Sequence, residues 1–219
     1  MQDACDKTVA QAAAPNRSPG LVLHRAAQYD LLVWLLTRGR ERVLRERILD
    51  LAQIAPGDSV LEVGCGTGTL AIAARRRVGP GGRVVGIDAS PAMIGRAEKK
   101  ARKAGVEVAF ETALAQALPF AAQQFDAALS TVMLHHLSRE ARRACAREMA
   151  RVVRPGGRVL AVDFAGAAPG RHRFLRRLHR HGHVDAADLA GLLSAAGLDI
   201  IERGAVGLHG LQFVLGRAR

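Results

Sequence analysis

The sequence predicts a doubly wound α/β sheet with a helical cap at its amino-terminal side, on three observations. Short, mostly apolar runs such as Val60–Val63, which only Glu62 interrupts, Val84–Ile87 and Val159–Val162 have the length and content of strands covered on both faces. Segments of helical period stand between them, the alternation that builds a mostly parallel sheet. The first apolar run breaks directly into Gly64-Cys65-Gly66-Thr67-Gly68 and then into Leu70-Ala71-Ile72-Ala73-Ala74, a strand, a glycine loop and a packed helix. The 219 residues suffice for one such domain and a cap. The expected divisions are a flexible tail over 1–17, a helical cap over 18–55 and the α/β domain over 56–219, with a basic lid at about 166–184.

Residues 1–17 mix Asp, Lys, Gln, Ala and Asn without period. Ser18-Pro19-Gly20 offers a cap and first-turn proline to an apolar helix over 21–37, which carries the only tyrosine and tryptophan, Tyr29 and Trp34. A helix this greasy belongs over the mouth of a cleft or against a second copy of the chain, which makes a homodimer through it a candidate assembly. A second helix, about 39–54, sets Val43, Leu44, Ile48 and Leu51 against Arg and Glu, and Pro56-Gly57-Asp58 turns the chain into the first strand.

Three glycines at alternate positions predict a turn stripped of β-carbons on one side, where a ligand lies against backbone N–H groups. The dinucleotide spacing GxGxxG is not met, because Thr69 occupies the third position, and no phosphate-loop lysine follows. Glu62 puts a carboxylate at the strand end, which repels phosphates and suits an ammonium group. The second strand, 82–88, ends in Asp88 about twenty residues on, the place from which a carboxylate accepts both ribose hydroxyls.

With EVGCGTG followed by GIDAS, the chain resembles the class I S-adenosylmethionine-dependent methyltransferases, in the small-molecule, UbiE-like (methyltransferase type 11) group. The resemblance covers about residues 55–164. It implies a seven-stranded Rossmann-like sheet with its last strand antiparallel, S-adenosylmethionine as cofactor and S-adenosylhomocysteine as product. It also implies cofactor contacts at Glu62, Gly64, Cys65, Gly66, Gly68, Asp88, Ala89 and Met93, at Leu114, Ala115 and Ser130, and at Tyr29, with Asp30, from the cap. Met93 reads equally as core. The third strand, 106–110, leads to Leu118-Pro119-Phe120, which matches the family, but the Asp that commonly bonds the adenine amino group is Leu114 here. Gln116, backbone groups or water must meet that edge instead.

The fourth strand, 125–130, runs into Thr131-Val132-Met133-Leu134-His135-His136 at the sheet end where α/β enzymes keep their chemistry. Adjacent side chains point apart, so one histidine faces the cleft as base or acceptor-positioning group and the other packs. His135, closer to the strand, is the preferred one. The quinone-ring branch usually has Arg-Asn at this pair. Helix 140–152, the turn Arg154-Pro155-Gly156-Gly157 and the fifth strand, 158–164, read as architecture. A final helix at 185–196 and strands at 198–203 and 210–215 close the domain. Between them, 171–183 holds five arginines, four histidines and no acid, the composition of a basic lid for an anionic or membrane-interface acceptor or of a solvated helix.

Composition narrows the partners. The net charge of +12 is almost all arginine, spread over helix faces such as Arg75–Arg77 and Arg142, Arg143 and Arg147, or gathered into a basic surface for anionic lipid, nucleic acid or an acidic substrate. Aromatics at 4% argue against base stacking, so nucleic acid is a weak candidate. Cys5, Cys65 and Cys145 form neither a disulfide framework nor a zinc spacing, and His179, His181 and His183 lack a completing ligand, so no metal is expected. A polar start without an apolar core and the lack of a run of ~20 apolar residues point to a cytoplasmic protein. The resulting expectation is an enzyme that moves a methyl group to an oxygen, nitrogen or carbon of a small molecule. A phospholipid-amine methyltransferase, a nicotinamide-dependent oxidoreductase and a non-catalytic nucleic-acid-binding protein are the alternatives.

Overall fold

The computed structural model describes residues 41–164, 185–207 and 210–219. Tyr29, Asp30, the apolar helix at 21–37 and the basic stretch 171–183 lie outside them, and with them residues 18–40 of the expected cap, the lid and the dimer contact expected from sequence.

Seven strands form one sheet in the order β3-β2-β1-β4-β5-β7-β6. β1 (Ser59–Val63), β2 (Arg83–Asp88), β3 (Ala109–Thr112), β4 (Phe125–Thr131) and β5 (Val153–Phe164) run parallel, while β7 (Leu211–Ala218) runs antiparallel to both β5 and β6 (Leu198–Ala205). The sheet is apolar on both sides because each has its own helices. Val60, Val84, Leu129 and Leu160 share one cluster with Ile48 and Leu49 of α1 (Glu41–Leu51) and Leu70 and Ala74 of α2 (Thr69–Val78). Leu61, Val63, Ala128 and Ala161 share the other with Met149 of α4 (Arg139–Val152) and Leu189 and Leu193 of α5 (Ala186–Ala195). Alternate residues of one strand thus face opposite layers.

The helix boundaries follow local chemistry. α3 (Pro91–Ala104) starts with Ser90 and a first-turn proline and stops at Gly105 in a left-handed conformation. Ser138 caps α4 by accepting the Ala141 N–H, and Asp185 and Asp188 form a reciprocal capping box on α5. Three expectations need correction. The third strand is 109–112 rather than 106–110, because its pairing with β2 places Ala109 opposite Val85 and Thr112 opposite Asp88. β5 begins at Val153, five residues early, since Val153 pairs with Phe125. In α1 it is Leu49 that joins Ile48 and Leu51 in the core, while Val43 is 58% exposed. Among the described residues no helix is long and apolar enough to cross a membrane.

Candidate active site

The chain visits β1, β2 and β3 in one direction and returns to β4 on the other side of β1, so a crevice opens beyond the carboxyl ends of β1 and β4. The glycine loop, Asp88, the segment 132–136 and the end of β5 meet there.

The loop is built differently from the sequence expectation. A β-carbon at Gly64 would stand 2.3 Å from Met133 Cγ, and one at Gly68 would stand 2.7 Å from Phe110 Cζ and 2.8 Å from Ala97 Cβ. These glycines make room for the protein's own side chains. The loop's N–H groups are also largely used: Gly64 and Cys65 both donate to Ile87 O, Gly66 donates to Asp88 Oδ2 at 3.0 Å, and Gly68 donates to Cys65 O. The turn is therefore a tight connection against β2 rather than an open anion cradle, in keeping with a ligand without phosphates. The Cys65 side chain is buried, and a β-carbon at Gly86 would lie 3.1 Å from its Sγ; burial pushes its thiol well above the usual range.

Two carboxylates frame the loop. Glu62 is 4% exposed, and its Oε2 has no hydrogen-bond partner among the described residues. Burial, more than any neighbour, pushes its pKa up to about 8; the Ala71 N–H in the first turn of α2 and the Arg45 charge pull down, and Asp88 pushes up. α2 has only Gly68 as its cap, so the Glu62 carboxyl takes the role of a capping side chain. Asp88 accepts the Gly66 N–H on Oδ2 and the Ser90 N–H on Oδ1, 2.9 Å, which partly offset the upward shift that burial imposes. Each oxygen keeps a second lone pair for a ligand hydroxyl. An orphaned buried carboxyl oxygen beside a helix N-terminus, with an acid held at the next strand end, fits a ligand that has an ammonium at one end and vicinal hydroxyls further along.

Met93 is 3% exposed and packs inside the fold, and Ser130, 1% exposed, keeps its Oγ without a partner among the described residues. Ala89, Leu114 and Ala115 are half-buried, with Ala113 N–H bonded to Asp88 O and Leu114 bridged to Ala117.

The segment after β4 carries the least expected arrangement. Val132 has φ 53°, a left-handed conformation that a β-branched residue resists at a cost of order 1–3 kcal/mol, and its N–H is tied to Val162 O at 2.8 Å. This bend directs Met133 over Gly64 and starts a short 3-10 turn, Leu134–His136. His135 is 8% exposed: its N–H donates to Asp163 Oδ2 at 3.0 Å and its Nδ1 lies 2.8 Å from Asp163 Oδ1. Asp163, in β5, is 1% exposed. The His136 ring is half-buried, its centroid 3.9 Å from that of His135. Arg142 of α4 donates from Nε to Leu134 O at 2.7 Å, and burial lowers its pKa against the pull of Asp163 and Asp188. The two side chains do not point apart as a strand's would, because both sit in the 3-10 turn and their rings lie together; the sequence-preferred His135 is the deeper one and His136 the more accessible.

Asp163, Arg142 and Arg151, which the sequence reading assigned to plain architecture, hold the segments around this crevice in place. Arg151 holds Phe120 O at 2.8 Å and Leu118 O at 3.2 Å while paired to Glu148, which accepts the Leu118 N–H. The signal for Asp163 was an acid inside an otherwise apolar strand, a placement that is costly unless paired. The arginines gave none, since helix period alone does not say which loop an arginine reaches.

A family profile described as "Methyltransferase domain" matches residues 60–157. The chain is 36% identical over 154 residues to a demethylmenaquinone methyltransferase of Thermus thermophilus, covering 70% of this chain and 69% of that protein. It is 37% identical over 142 residues to a ubiquinone/menaquinone biosynthesis C-methyltransferase, UbiE, of Hahella chejuensis, 64% of this chain but 56% of that protein, so the match spans little more than half of that relative. Its fold is similar to a crystal structure of a SAM-dependent methyltransferase from Aquifex aeolicus, with TM-score 0.72 and 20% identity over 89% of this chain and 98% of that one. Neither an oxidoreductase nor a nucleic-acid-binding protein is favoured. The chain belongs to the class I S-adenosylmethionine-dependent methyltransferases, in the UbiE-like group, with S-adenosylmethionine as its methyl donor.

Proposed function

We propose that the chain methylates a small organic acceptor whose accepting atom gives up a proton, and that His135, backed by Asp163, receives that proton. The supporting observation is the 2.8 Å contact between His135 Nδ1 and a carboxylate that is 1% exposed. A carboxylate on Nδ1 keeps the ring proton there, makes Nε2 the basic nitrogen and steadies the imidazolium that forms. When bound, S-adenosylmethionine supplies a methyl group on a cationic sulfur, so no covalent enzyme intermediate is required. Glu62 would hold the ammonium end and Asp88 the ribose hydroxyls. Met133, pressed on Gly64, and His136, stacked on His135, would shape the acceptor side.

One relative is named as a ubiquinone/menaquinone biosynthesis C-methyltransferase and another as a demethylmenaquinone methyltransferase, so an activated ring carbon is the first acceptor to try. This chain has His135-His136 where that branch usually has Arg-Asn, which argues for a different ring or ring substituent. The basic stretch 171–183 would help reach an acceptor dissolved in an anionic membrane, and vesicle co-sedimentation tests that. Labelled-methyl transfer to a panel of phenols, hydroquinones and amines identifies the acceptor. His135→Ala should then lower kcat on the order of 10² or more and remove the acidic limb of its pH profile, with cofactor affinity retained. A second reading rests on the His135 N–H bond to the same carboxylate: the pair is only a latch for the 3-10 turn. In that case His135→Ala lowers Tm and leaves the pH profile unchanged, which would refute the base.

A further inference from the structure

On the sheet face away from α4 and α5, helices α1, α2 and α3 line an open cleft of about 680 Å³. Each helix gives it one stripe of i, i+3, i+4 spacing, and the stripes bring together Arg42 and Arg45, Arg76 and Arg77, and Lys100 and Lys103. Glu46 is the lone acid in the lining.

Local pairing accounts for only part of this charge. Arg77 is bound to Glu46 and Asp50, both at 2.6 Å, and Arg45 to Glu41 at 2.5 Å. Arg42, Arg76 and Lys103 are exposed and form no ion pair with a described residue. Among the described residues Arg76 donates to Ala104 O, at 3.5 Å. Lys100 Nζ donates to Thr67 Oγ1 of the glycine loop at 2.7 Å. Cations lining one concave, partly apolar surface that includes Ile72, Ala73 and Ala104 repel one another. Arg77 helps hold α2 to α1, but the core side of α2 is Leu70, Ala71, Ile72, Ala74 and Val78, so Arg76 is not needed to pack it.

We infer that this cleft is a second binding site, for a small polyanion of the pyrophosphate class. Its volume lies in the range of small-molecule sites and exceeds what a lone phosphate fills. Arginine forks and lysine ammonium groups converging from three elements suit clustered phosphoryl oxygens. The site also touches the cofactor loop: an anion that draws Lys100 from Thr67 alters the loop that Glu62 and Asp88 frame, so anion and cofactor affinities are linked reciprocally.

The test is calorimetric titration of the full-length chain with inorganic pyrophosphate at fixed ionic strength. Saturable binding is expected, weakened at least tenfold in Arg42→Gln/Arg76→Gln/Lys103→Gln. A control, Arg143→Gln/Arg147→Gln/Arg217→Gln, removes equal charge from exposed positions elsewhere and should bind as the parent does. Circular dichroism and cofactor titration establish that both variants are folded. Absence of saturable binding, equal weakening in both variants, or binding to phosphatidylglycerol vesicles without binding of free pyrophosphate would overturn the proposal. Failure here leaves methyl transfer untouched, because that reaction is assayed without the polyanion.

Discussion

Glu62→Gln tests the physical basis of the cofactor site. In the folded protein the carboxyl has pKa about 8 against an ordinary 4.5, because burial penalises the charge. The folded chain therefore holds a proton that the unfolded chain releases above pH 4.5, and stability falls as pH rises from there through about 8. At roughly 1.4 kcal/mol per pH unit, the cost of ionising Glu62 in the empty site approaches ~5 kcal/mol above pH 8. Glutamine has the same shape, keeps an oxygen for the Ala71 N–H and carries no charge. The variant should be more stable than the parent above pH 8, by up to a few kcal/mol, and equal to it near pH 5. Cofactor binding reverses the balance, since an ammonium beside Glu62 favours its ionised form. At pH 7 the parent should release up to about one proton on binding, read from titration heats in buffers of different ionisation enthalpy. The variant should release none there and lose ~10- to 100-fold in affinity, the worth of a hydrogen bond to a charged group. Equal pH dependence of Tm in the two proteins, or proton release that persists without Glu62, would refute the reasoning.

Other outcomes follow from the same geometry. Gly64→Ala combines φ 75° with a β-carbon 2.3 Å from Met133 Cγ, and should cost ~2 kcal/mol or more by denaturant unfolding; adding Met133→Ala should recover only the Cγ clash, since the residue-133 Cβ, 2.9 Å away, and the backbone strain remain. The Cys145 thiol is fully buried and pushed up to about 12, and the Cys65 thiol is raised too, so both should react with a thiol reagent at pH 8 only as fast as the chain opens. Arg151→Ala removes the contacts to Leu118 O and Phe120 O and unpairs Glu148, and should lower stability by ~1–2 kcal/mol while cofactor affinity is kept.

The strands were legible because a strand covered on both faces writes itself as a short run dominated by apolar residues, and β1, β2 and β4 fall within a residue or so of their expected bounds. β3 was misplaced because an edge strand with exposed residues lacks that signature, and its limits come from β2. Glu62 and Asp88 were readable as acids ending strands. What the loop does with its N–H groups was not, because Gly64 and Cys65 spend theirs on Ile87, more than twenty residues on. The His135 and Asp163 pair depends on the alignment of β4 with β5, in which Thr131 stands opposite Val162. No local pattern encodes that register, although a lone acid in Val159–Phe164 hinted that something had to answer it.

The position of β7 bears on how the domain comes to exist. This strand, last in sequence, lies between β5 and β6, hydrogen-bonded to both. A nascent chain on the ribosome can join β1 through β5 early, but β6 has no neighbour until residues 211–218 emerge, and β5 shows a bare edge until then. Truncation before Leu211 would leave Val162 and Asp163 on an open border, so His135 would lose its anchorage along with the sheet.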